Sequence, residues 1–428
     1  MEFRDKTRAR KMRASAPLNE LDVLCLQMVC RLTHRWLMSS VENPNSQSAP
    51  WLAPNLLPEA SLGGEPGVWR GQSELMSLPE IAAQLRDQKR EEKAPIHWVE
   101  VPNAPRVVHI SEVPELWEAQ TKRDLRHARE SIKSHGTIAL LTGGACVAVL
   151  AVGVPPAAAF VFAIYGMQSA EAWFDAAETR RQLRRDAQSY FHRRSSEYRY
   201  AFWVGSHPSS ALWRTWSLSI AWVVLFIVQS CKGLDASIQK AALVKPLVRQ
   251  GEVWRLLTGT MLHGSVMHIL MNATSAISLA LLIERTVNRH VLVPLWLLGA
   301  LGGSLCSLML TPEQTSVGAS GGLMGFVGFL AVMGWKRKPL LPPRFAVNIL
   351  RSIAFLGVMG VVAWSVIDNA AHLGGLLTGA LAGYWLFNTE LDSLPLPDSR
   401  RLAVLGWWGV IAFSALFAFT SWRLLMHR

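Results

Sequence analysis

The stretch "TSVGASGGLMGFVGF", residues 315–329, places one serine among glycines at the head of an apolar run. Ser320 follows Gly318 and precedes Gly321 and Gly322. Small residues let membrane helices pack closely, so the stretch could be a helix-packing segment. It could also be the exposed turn that carries a serine nucleophile. The rest of the chain has to distinguish these two hypotheses.

The composition indicates a membrane protein. Of the 428 residues, 50% are hydrophobic and 17% are charged, whereas soluble domains carry about 25% charged residues. Several apolar runs approach the roughly 20 residues that a helix needs to cross a bilayer. We therefore expect an all-α polytopic membrane protein with a mostly polar N-terminal region. The opening residues, "MEFRDKTRARKMR", are not followed by an apolar stretch, which predicts that no signal peptide is present.

The net charge of +12 is interpreted as a topology signal, because Lys and Arg accumulate in the cytoplasmic loops of membrane proteins. The basic run at 180–199 is expected to be a solvated cytoplasmic face against anionic lipid, and nucleic acid is not an expected partner. The five cysteines form no CxxC pair and have no clustered histidines. Neither a zinc site nor a disulfide framework is expected, so the sequence predicts no metal.

Residues 1–135 are predicted to form a cytoplasmic N-terminal α(+β) domain whose role the sequence does not indicate. The Pro/Ser/Gly-rich residues 41–72 are typical of a linker. Ser77 and Glu80 resemble a capping box at the start of a helix. Residues 97–110 could form a β-hairpin, since two β-rich runs flank a Pro/Asn turn.

The apolar stretch 137–166 follows and is broken by Pro155 and Pro156. Basic segments flank it on both sides, which favours a hairpin with both ends in the cytoplasm. Each arm would be shorter than a full membrane span, so a re-entrant segment is the alternative. The predicted limits are 136–170 for this membrane hairpin or re-entrant segment and 171–210 for a basic cytoplasmic linker.

From residue 214 onward, apolar segments alternate with short links. The links "ERTVNRH" and "WKRKPLLPPR", after the second and fourth segments, are basic, whereas "TPEQT" and "SVIDN", before the fourth and sixth segments, contain no Lys or Arg. The positive-inside rule then places the starts of the second, fourth and sixth segments on the outer side. The seven predicted segments are 214–231, 257–283, 290–310, 320–335, 345–366, 369–387 and 403–424.

Four polar residues inside these segments are candidates for a site, because such residues are rare within a membrane and commonly functional. They are His268 and Asn272 in the second segment, Ser320 in the fourth and His372 in the sixth. From the helix rise, we estimate that Ser320 lies about 8 Å and His372 about 6 Å inside the outer edge of the apolar core. If the second segment is counted from Met261, His268 lies about 10 Å inside. The three segments would thus bring polar groups to one shallow layer.

This layer contains a candidate for each group that acyl transfer requires. Ser320 opens a helix, whose free N–H groups favour an anion, and His372 is the candidate general base. His268 and Asn272 are four residues apart, so they share a helix face and could donate hydrogen bonds to a developing oxyanion. Gly318 keeps the serine approachable by substrate.

Two neighbouring polar residues are expected to have structural roles. His263 would lie about 140° from His268 on an ideal helix, so we predict that it points elsewhere and supports the outer end of that helix. Asp368 is four residues before His372 and could complete a catalytic triad. Capping of the sixth helix is the preferred interpretation, because Asp is favoured at helix N-termini.

Gly375, Gly379 and Gly383 form a tandem GxxxG pattern in the sixth segment, which predicts close packing against the fourth. Gly321 and Gly325 are the expected partners. The packing hypothesis and the nucleophile hypothesis are then compatible, because close packing brings the serine within reach of the histidine.

Three segments resemble the signature motifs of the rhomboid intramembrane serine proteases, in the order and with spacing similar to those of that family. They are "GEVWRLLTGTMLHGSVMHILMN" (251–272), "GASGGLMG" (318–325) and "AAHLGGLLTG" (370–379). The resemblance covers about residues 210–425. It implies a rhomboid protease domain at 211–425, with a six-helix core and one additional C-terminal transmembrane helix.

The resemblance also implies a Ser320–His372 dyad, with His268 and Asn272 lining the oxyanion hole. Such proteases hydrolyse peptide bonds in or near the transmembrane segments of membrane proteins, and they need no cofactor. The expected partners are therefore transmembrane protein substrates and the lipid bilayer. The expected location is the bacterial inner membrane, with a cytoplasmic N-terminus and a site that opens to the periplasmic side.

The same resemblance implies that other residues support the structure of the site. Trp254 and Arg255 match a Trp-Arg pair in the outer loop of the family. Met324 stands where many members carry an aromatic residue against the catalytic histidine, and methionine can fill that gap. The remaining support residues are His263, Gly375 and Gly379.

Two alternatives remain open at this point. One is a catalytically silent rhomboid-like protein that binds or chaperones membrane helices, against which the intact Ser320, His372, His268 and Asn272 argue. The other is a transporter that uses the polar layer as a midplane site. The layer is predicted to be shallow and one-sided, and no inverted repeat is visible in the sequence.

Overall fold

A computed structural model describes residues 67–68, 78–87, 98–100, 108–152, 156–206, 213–312, 314–387, 394–396 and 398–426. Most of the predicted linker at 41–72, and Ser77 of the predicted capping box, lie outside these residues.

The described N-terminal elements form a small α+β unit. They are β1 (Gly67–Val68), α1 (Leu78–Asp87), β2 (Trp98–Glu100) and β3 (Val108–His109). Strand β2 pairs antiparallel with both β1 and β3, which confirms the hairpin predicted within residues 97–110. Helix α1 buries Ile81 and Leu85 in a small apolar cluster with Ile110, Val113 and Leu116.

Two long helices, α2 (Trp117–Ala151) and α3 (Pro156–Arg185), form an antiparallel helical hairpin. Gly166 lies against Thr142 near the tip, and Gly136 lies against Trp173 farther down. The helices contain 35 and 30 residues, or about 52 and 45 Å. The apolar stretch 137–166 therefore forms the tip of a longer helical hairpin. The two helices are longer than the apolar stretch 137–166, because the basic segments on both sides of it are also helical. The helices therefore cross the predicted domain limits at residues 135 and 170.

Helix α4 (Ala187–Ser206) folds back along the base of this hairpin. Arg199 donates hydrogen bonds to both carboxylate oxygens of Glu112, at 2.9 and 2.6 Å. The hydroxyl of Tyr190 donates to buried Asp124 at 3.1 Å, and Asp124 also pairs with Arg123. The Tyr190–Asp124 hydrogen bond thus joins α4 to α2, and the Arg199–Glu112 ion pair joins α4 to the segment before α2.

The remaining helices form the membrane-embedded core, with one additional helix at the C-terminal end. Short elements lie between the first two long helices, and strand β5 precedes the glycine-rich helix. In chain order the elements are α5 (Trp213–Lys232), α6 (Leu234–Ala241), β4 (Leu243–Val244), α7 (Lys245–Arg249), α8 (Arg255–Thr258), α9 (Val266–Thr286), α10 (Leu292–Leu310), β5 (Thr315–Ser316), α11 (Ser320–Lys336), α12 (Phe345–Val362), α13 (Asn369–Leu386) and α14 (Arg400–Met426).

Six helices in the described part of the chain are long and apolar enough to cross a membrane: α2, α5, α9, α10, α12 and α14. Helices α11 and α13 fall outside this group. Helix α11 has only 17 residues, and glycines and polar residues lower the mean hydropathy of α13. These two helices carry Ser320 and His372, the residues of the candidate dyad. The chain is a polytopic all-α membrane protein, as predicted.

The predicted start of the second segment, at residue 257, is wrong. Residues 255–258 form the short helix α8, and residues 259–261 form a 3₁₀ turn. Helix α9 begins only at Val266, where the side chain of Ser265 accepts a hydrogen bond from the His268 N–H at 3.2 Å. A serine cap of this type ends the preceding loop and starts a helix. The depth count from Met261 was therefore wrong, because His268 lies in the first turn of α9.

Glycines bring α10, α11 and α13 into backbone contact. A Cβ atom added to Gly325 of α11 would lie 3.0 Å from the Cα of Gly299 in α10. A Cβ added to Gly375 or Gly379 of α13 would overlap the carbonyl oxygen of Gly321 or Gly325. The predicted packing of the sixth segment against the fourth is confirmed, with glycines on both sides of the contact.

The helical hairpin contacts the core at α12. Asp175 of α3 accepts a hydrogen bond from Arg351 at 3.1 Å, and Glu178 pairs with Arg344 at 3.2 Å. Nearer the hairpin tip, buried Met359 of α12 packs in an apolar cluster with side chains of α2 and α3. The hairpin is thus attached both by charge and by apolar contact.

We expect the substitution Gly379→Ala to destabilise the protein, because the added methyl group would overlap the Gly325 carbonyl oxygen. Overpacking of this kind typically costs about 1–3 kcal/mol. Gly357→Ala in α12 is the matched control, since no atom lies within 4 Å of the added Cβ. Unfolding of the purified variants in detergent micelles measures the difference, and equal stability of the two variants would contradict the packing described here.

Candidate active site

Ser320 is the first residue of α11 and follows a tight turn. Strand β5 ends at Ser316, and Gly318 has φ +124°, a conformation that other residues rarely adopt. Ala319 occupies the N-cap position without a side-chain hydrogen bond to the helix. The first N–H groups of α11 therefore have no side-chain cap and are available to an anion in front of the half-buried serine.

The turn before Ser320 is held in place by the segment that precedes α9. Strand β4 pairs antiparallel with β5, with Val244 opposite Thr315. The N–H of Gly318 donates a hydrogen bond to the carbonyl oxygen of Gly259 at 3.0 Å. Gly259 itself packs against Leu243, where an added Cβ would lie 2.6 Å from the backbone nitrogen. These contacts fix the position of the turn relative to the start of α9.

Gly318 lies beside both candidate oxyanion residues. A Cβ at this position would be 2.6 Å from Nε2 of His268 and 3.5 Å from Nδ2 of Asn272. Both side chains therefore approach the serine turn from one face of α9, as their spacing predicted. Asn272 is only 5% exposed, and its Nδ2 has no hydrogen-bond partner among the described residues. A buried unpaired donor is costly, and at this place it is available to a developing negative charge.

Glycine contacts place α13, the helix that carries His372, against Gly321, the residue after Ser320. A Cβ on Gly321 would lie 3.5 Å from the carbonyl oxygen of Ala371, the residue before His372. Gly375, one turn after His372, contacts the backbone of Gly321. Ser320 and His372 thus flank a close backbone contact between α11 and α13. Among the described residues no hydrogen bond joins their side chains, and such bonds are often long in the absence of substrate.

Asp368 caps α13, as predicted. Its Oδ1 accepts a hydrogen bond from the Ala371 N–H at 2.9 Å, and its side chain also accepts from Ser307 of α10. The ammonium group of Lys245 lies 4.0 Å from Oδ2 of Asp368. These contacts direct the carboxylate toward the helix end and toward α10, where it fixes the start of the helix that carries His372.

Lys245 is fully buried beside this cap. Its Nζ donates hydrogen bonds to the backbone carbonyl and the hydroxyl of Thr311, both at 2.7 Å. A buried ammonium is tolerated only when it is paired and hydrogen-bonded, and this one has both kinds of partner. The lysine therefore joins the segment before α9 to the ends of α10 and α13.

The prediction that His263 points away from His268 was wrong. The two rings meet edge to face with centroids 5.2 Å apart. The helical angle did not apply, because His263 precedes the start of α9. Its backbone N–H and C=O are both paired with the side-chain amide of Gln229 in α5, at 3.0 and 3.3 Å. Fully buried, His263 therefore forms part of the wall behind His268.

Trp254 and Arg255 lie in the segment before α9 and do not contact Ser320 in the described contacts. Arg255 is buried, donates to the Ala242 carbonyl oxygen at 2.9 Å and pairs with Glu252 at 2.6 Å. The guanidinium groups of Arg255 and Arg423 both lie near the indole of Trp254, at 4.6 and 4.4 Å from the ring centroid. The pair thus connects this segment to the C-terminal helix α14.

Met324 is buried one turn after Ser320, with 7% of its surface exposed. This position agrees with an apolar filler beneath the serine. Nothing in the described contacts assigns it a further role.

Sequence reasoning missed Gln229, Lys245 and Gly259. Gln229 did carry a signal, because it is a polar residue inside an apolar segment, like the four residues that were selected. Lys245 stands alone in the apolar run "AALVKPLV", which was a weaker signal. The role of Gly259 depends on a backbone contact across 59 residues with Gly318, which no local pattern encodes.

Comparison with known proteins supports the assignment of this region. A protein-family model described as "Rhomboid domain" matches residues 250–389 of the chain. The chain is 31% identical to "RHOMBOID-like protein 6, mitochondrial" of Arabidopsis thaliana, over 33% of this chain and 46% of that protein. It is 32% identical to "Rhomboid protease GluP" of Bacillus subtilis, over 32% of this chain and 26% of that protein.

A third relative is not a protease by its name. "Inactive rhomboid protein 2" of Homo sapiens is 28% identical over 39% of this chain and 19% of that protein. The chain spans less than half the length of each of these curated relatives. The similarity therefore covers only part of each relative, and the relatives include one named a protease and one named inactive. Residues 250–389 thus match a rhomboid domain, and the chain is similar to rhomboid family proteins.

Proposed function

We propose that this chain is an intramembrane serine endopeptidase of the rhomboid type, which hydrolyses peptide bonds in or near transmembrane segments of membrane proteins. One observation carries the proposal: Gly318 and Gly321, on either side of Ser320, face different groups of candidate site residues. Gly318 contacts His268 and Asn272, and Gly321 contacts the backbone beside His372. A serine whose only role was helix packing would not need polar residues of two other helices on both sides of it.

The proposed reaction begins with Ser320 Oγ, which attacks the scissile carbonyl carbon while His372 accepts the hydroxyl proton. The oxyanion that forms accepts hydrogen bonds from the Ser320 N–H and the Asn272 amide, with His268 as a further donor. His372 then protonates the leaving amine as the C–N bond breaks, which leaves an acyl ester on Ser320. Water, deprotonated by His372, cleaves the ester and restores the serine.

The location of the candidate residues at the N-terminal ends of their helices would give water access to the site. Ser320, His268 and His372 each lie in the first turn of their helix. A site at helix ends is close to one membrane surface, unlike a site at mid-helix. The half-buried serine is consistent with access from that surface.

We further propose that the N-terminus is cytoplasmic and that the site opens to the outer, periplasmic face of a bacterial inner membrane. The basic links after α9 and α11 support this orientation. Within it, residues 211–425 form the protease domain. Residues 1–135, 136–170 and 171–210 form a cytoplasmic domain, a membrane hairpin and a basic linker, although the helices described above cross two of these limits.

A catalytically silent rhomboid-like protein is the second candidate function, because one of the relatives carries the word inactive in its name. Both functions would use the same fold. They differ in whether Ser320 reacts.

The first experiment measures that reactivity with a fluorophosphonate probe on purified protein. We expect labelling of the wild type and none of Ser320→Ala. His372→Ala should reduce labelling at least about 100-fold, since general-base catalysis contributes 10² to 10⁴ in rate. Ser275→Ala, at an exposed serine of α9, should label normally. An unlabelled, folded wild type would favour the silent function, and labelling that survives Ser320→Ala would exclude Ser320 as the nucleophile.

The second prediction tests the turn before the serine. Gly318→Ala should reduce probe labelling at least about tenfold, because the added methyl group would displace His268 and loosen oxyanion donors. Gly251→Ala is the matched control, since Gly251 also has positive φ, +108°, but no atom within 4 Å of an added Cβ. Both substitutions place a Cβ on a residue with positive φ, so equal labelling of the two variants would contradict a role for Gly318 in the site.

The third prediction tests orientation. Cys231, at the end of α5, is exposed and would lie on the outer side. In intact bacterial spheroplasts, a membrane-impermeant maleimide should label the wild type, and Cys231→Ser should remove that signal. Labelling of Cys231 that requires lysis of the cells would reverse the proposed topology.

A further inference from the structure

A cavity with a basic rim lies between the two helices of the hairpin, far from the serine site. Its volume is about 430 Å³. Both helices contribute, α2 through one apolar side chain and α3 through the rest. The lining residues are Ile132, Trp173, Ala177, Arg180, Arg181 and Arg184.

The position of the cavity along the hairpin coincides with the change from apolar to basic surface. On the side of the tip, large apolar side chains are exposed, among them Leu140 at 80% and Tyr165 at 59%. On the other side, α3 continues with arginines. Apolar surface of this extent is unfavourable in water and favourable in the acyl region of a bilayer. Trp173, which lines the cavity, is the residue type enriched at the boundary between acyl chains and headgroups.

Few carboxylate groups neutralise the charge of the arginines at the rim of the cavity. Arg181 pairs with Glu178, but Glu178 also accepts a hydrogen bond from Gln182 and pairs with Arg344. Within the described residues, no carboxylate forms an ion pair with Arg180 or Arg184. The cavity therefore combines an apolar wall with a positive rim, at the place where the surface of the hairpin changes from apolar to basic.

We propose that this cavity binds the phosphodiester headgroup of an anionic phospholipid. The guanidinium groups of Arg180 and Arg184 would hold the phosphate oxygens, for which the planar fork of arginine is suited. Ile132, Trp173 and Ala177 would contact the glycerol and the first methylenes of the acyl chains. A free phosphate ion would leave this apolar wall uncovered, which is why the lipid is the ligand.

The test is native mass spectrometry of the full-length protein in detergent, titrated with phosphatidylglycerol or with phosphatidylcholine. We expect phosphatidylglycerol to bind the wild type about tenfold more tightly than the zwitterionic lipid. The double substitution R180Q/R184Q should weaken phosphatidylglycerol binding by about tenfold, since each basic residue near an anionic lipid surface contributes measurably. Binding of phosphatidylcholine should not change.

The matched control is R400Q/R401Q. It removes the same two charges from exposed arginines at the start of α14, away from the cavity, and should leave lipid binding unchanged. A second variant, Ala177→Leu, keeps all charges but fills the cavity, and it should also weaken phosphatidylglycerol binding. Fluorophosphonate labelling or thermal unfolding verifies that each variant is folded.

Three outcomes would overturn the proposal. Equal loss in R180Q/R184Q and R400Q/R401Q would show that general surface charge attracts the lipid. Equal affinity of the wild type for the two lipids would show that the headgroup charge is not recognised. Displacement of phosphatidylglycerol by millimolar inorganic phosphate would identify the free anion as the ligand.

Discussion

The backbone contact between α11 and α13 is the constraint on which the candidate site depends. Gly375 and Gly379 touch the backbones of Gly321 and Gly325, at distances that leave no room for a methyl group. Contacts this close allow little sliding or rotation, since any shift of the register would bring a side chain into the interface. The positions of the first turns of both helices follow from this register. The juxtaposition of Ser320 and His372 is therefore a consequence of glycine packing rather than of a direct bond between them.

A second set of contacts determines the other half of the site. The segment between α5 and α9 is folded, and its strand β4 pairs with the strand that leads to Ser320. The Gly259 carbonyl oxygen holds the Gly318 N–H, while Lys245 reaches the ends of α10 and α13. Polar groups that would be costly within the membrane thus find partners in this one segment. Asn272 Nδ2 is one of several buried polar atoms without a hydrogen-bond partner among the described residues, as are both ring nitrogens of His263.

The helical hairpin is part of the same assembly as the rhomboid domain. Its α3 forms ion pairs with Arg344 and Arg351 at and near the start of α12, and α12 packs against α11. Glu178 links the arginine rim of the hairpin cavity to Arg344. The surface proposed to meet anionic lipid is therefore only two helices away from the helix that carries the candidate nucleophile.

The sequence by itself determined the class of fold, the helical segments and the candidates Ser320, His372, His268 and Asn272. It could do so because helix periodicity, apolar length and the rarity of polar residues in a membrane are local properties. The tertiary structure decided the start of α9 and hence the orientation of His263, which an ideal-helix angle had placed wrongly. It also decided the roles of Gln229, Lys245 and Gly259. Their partners lie between 34 and 123 residues away in the chain, and contacts over such separations arise only when the helices are packed together.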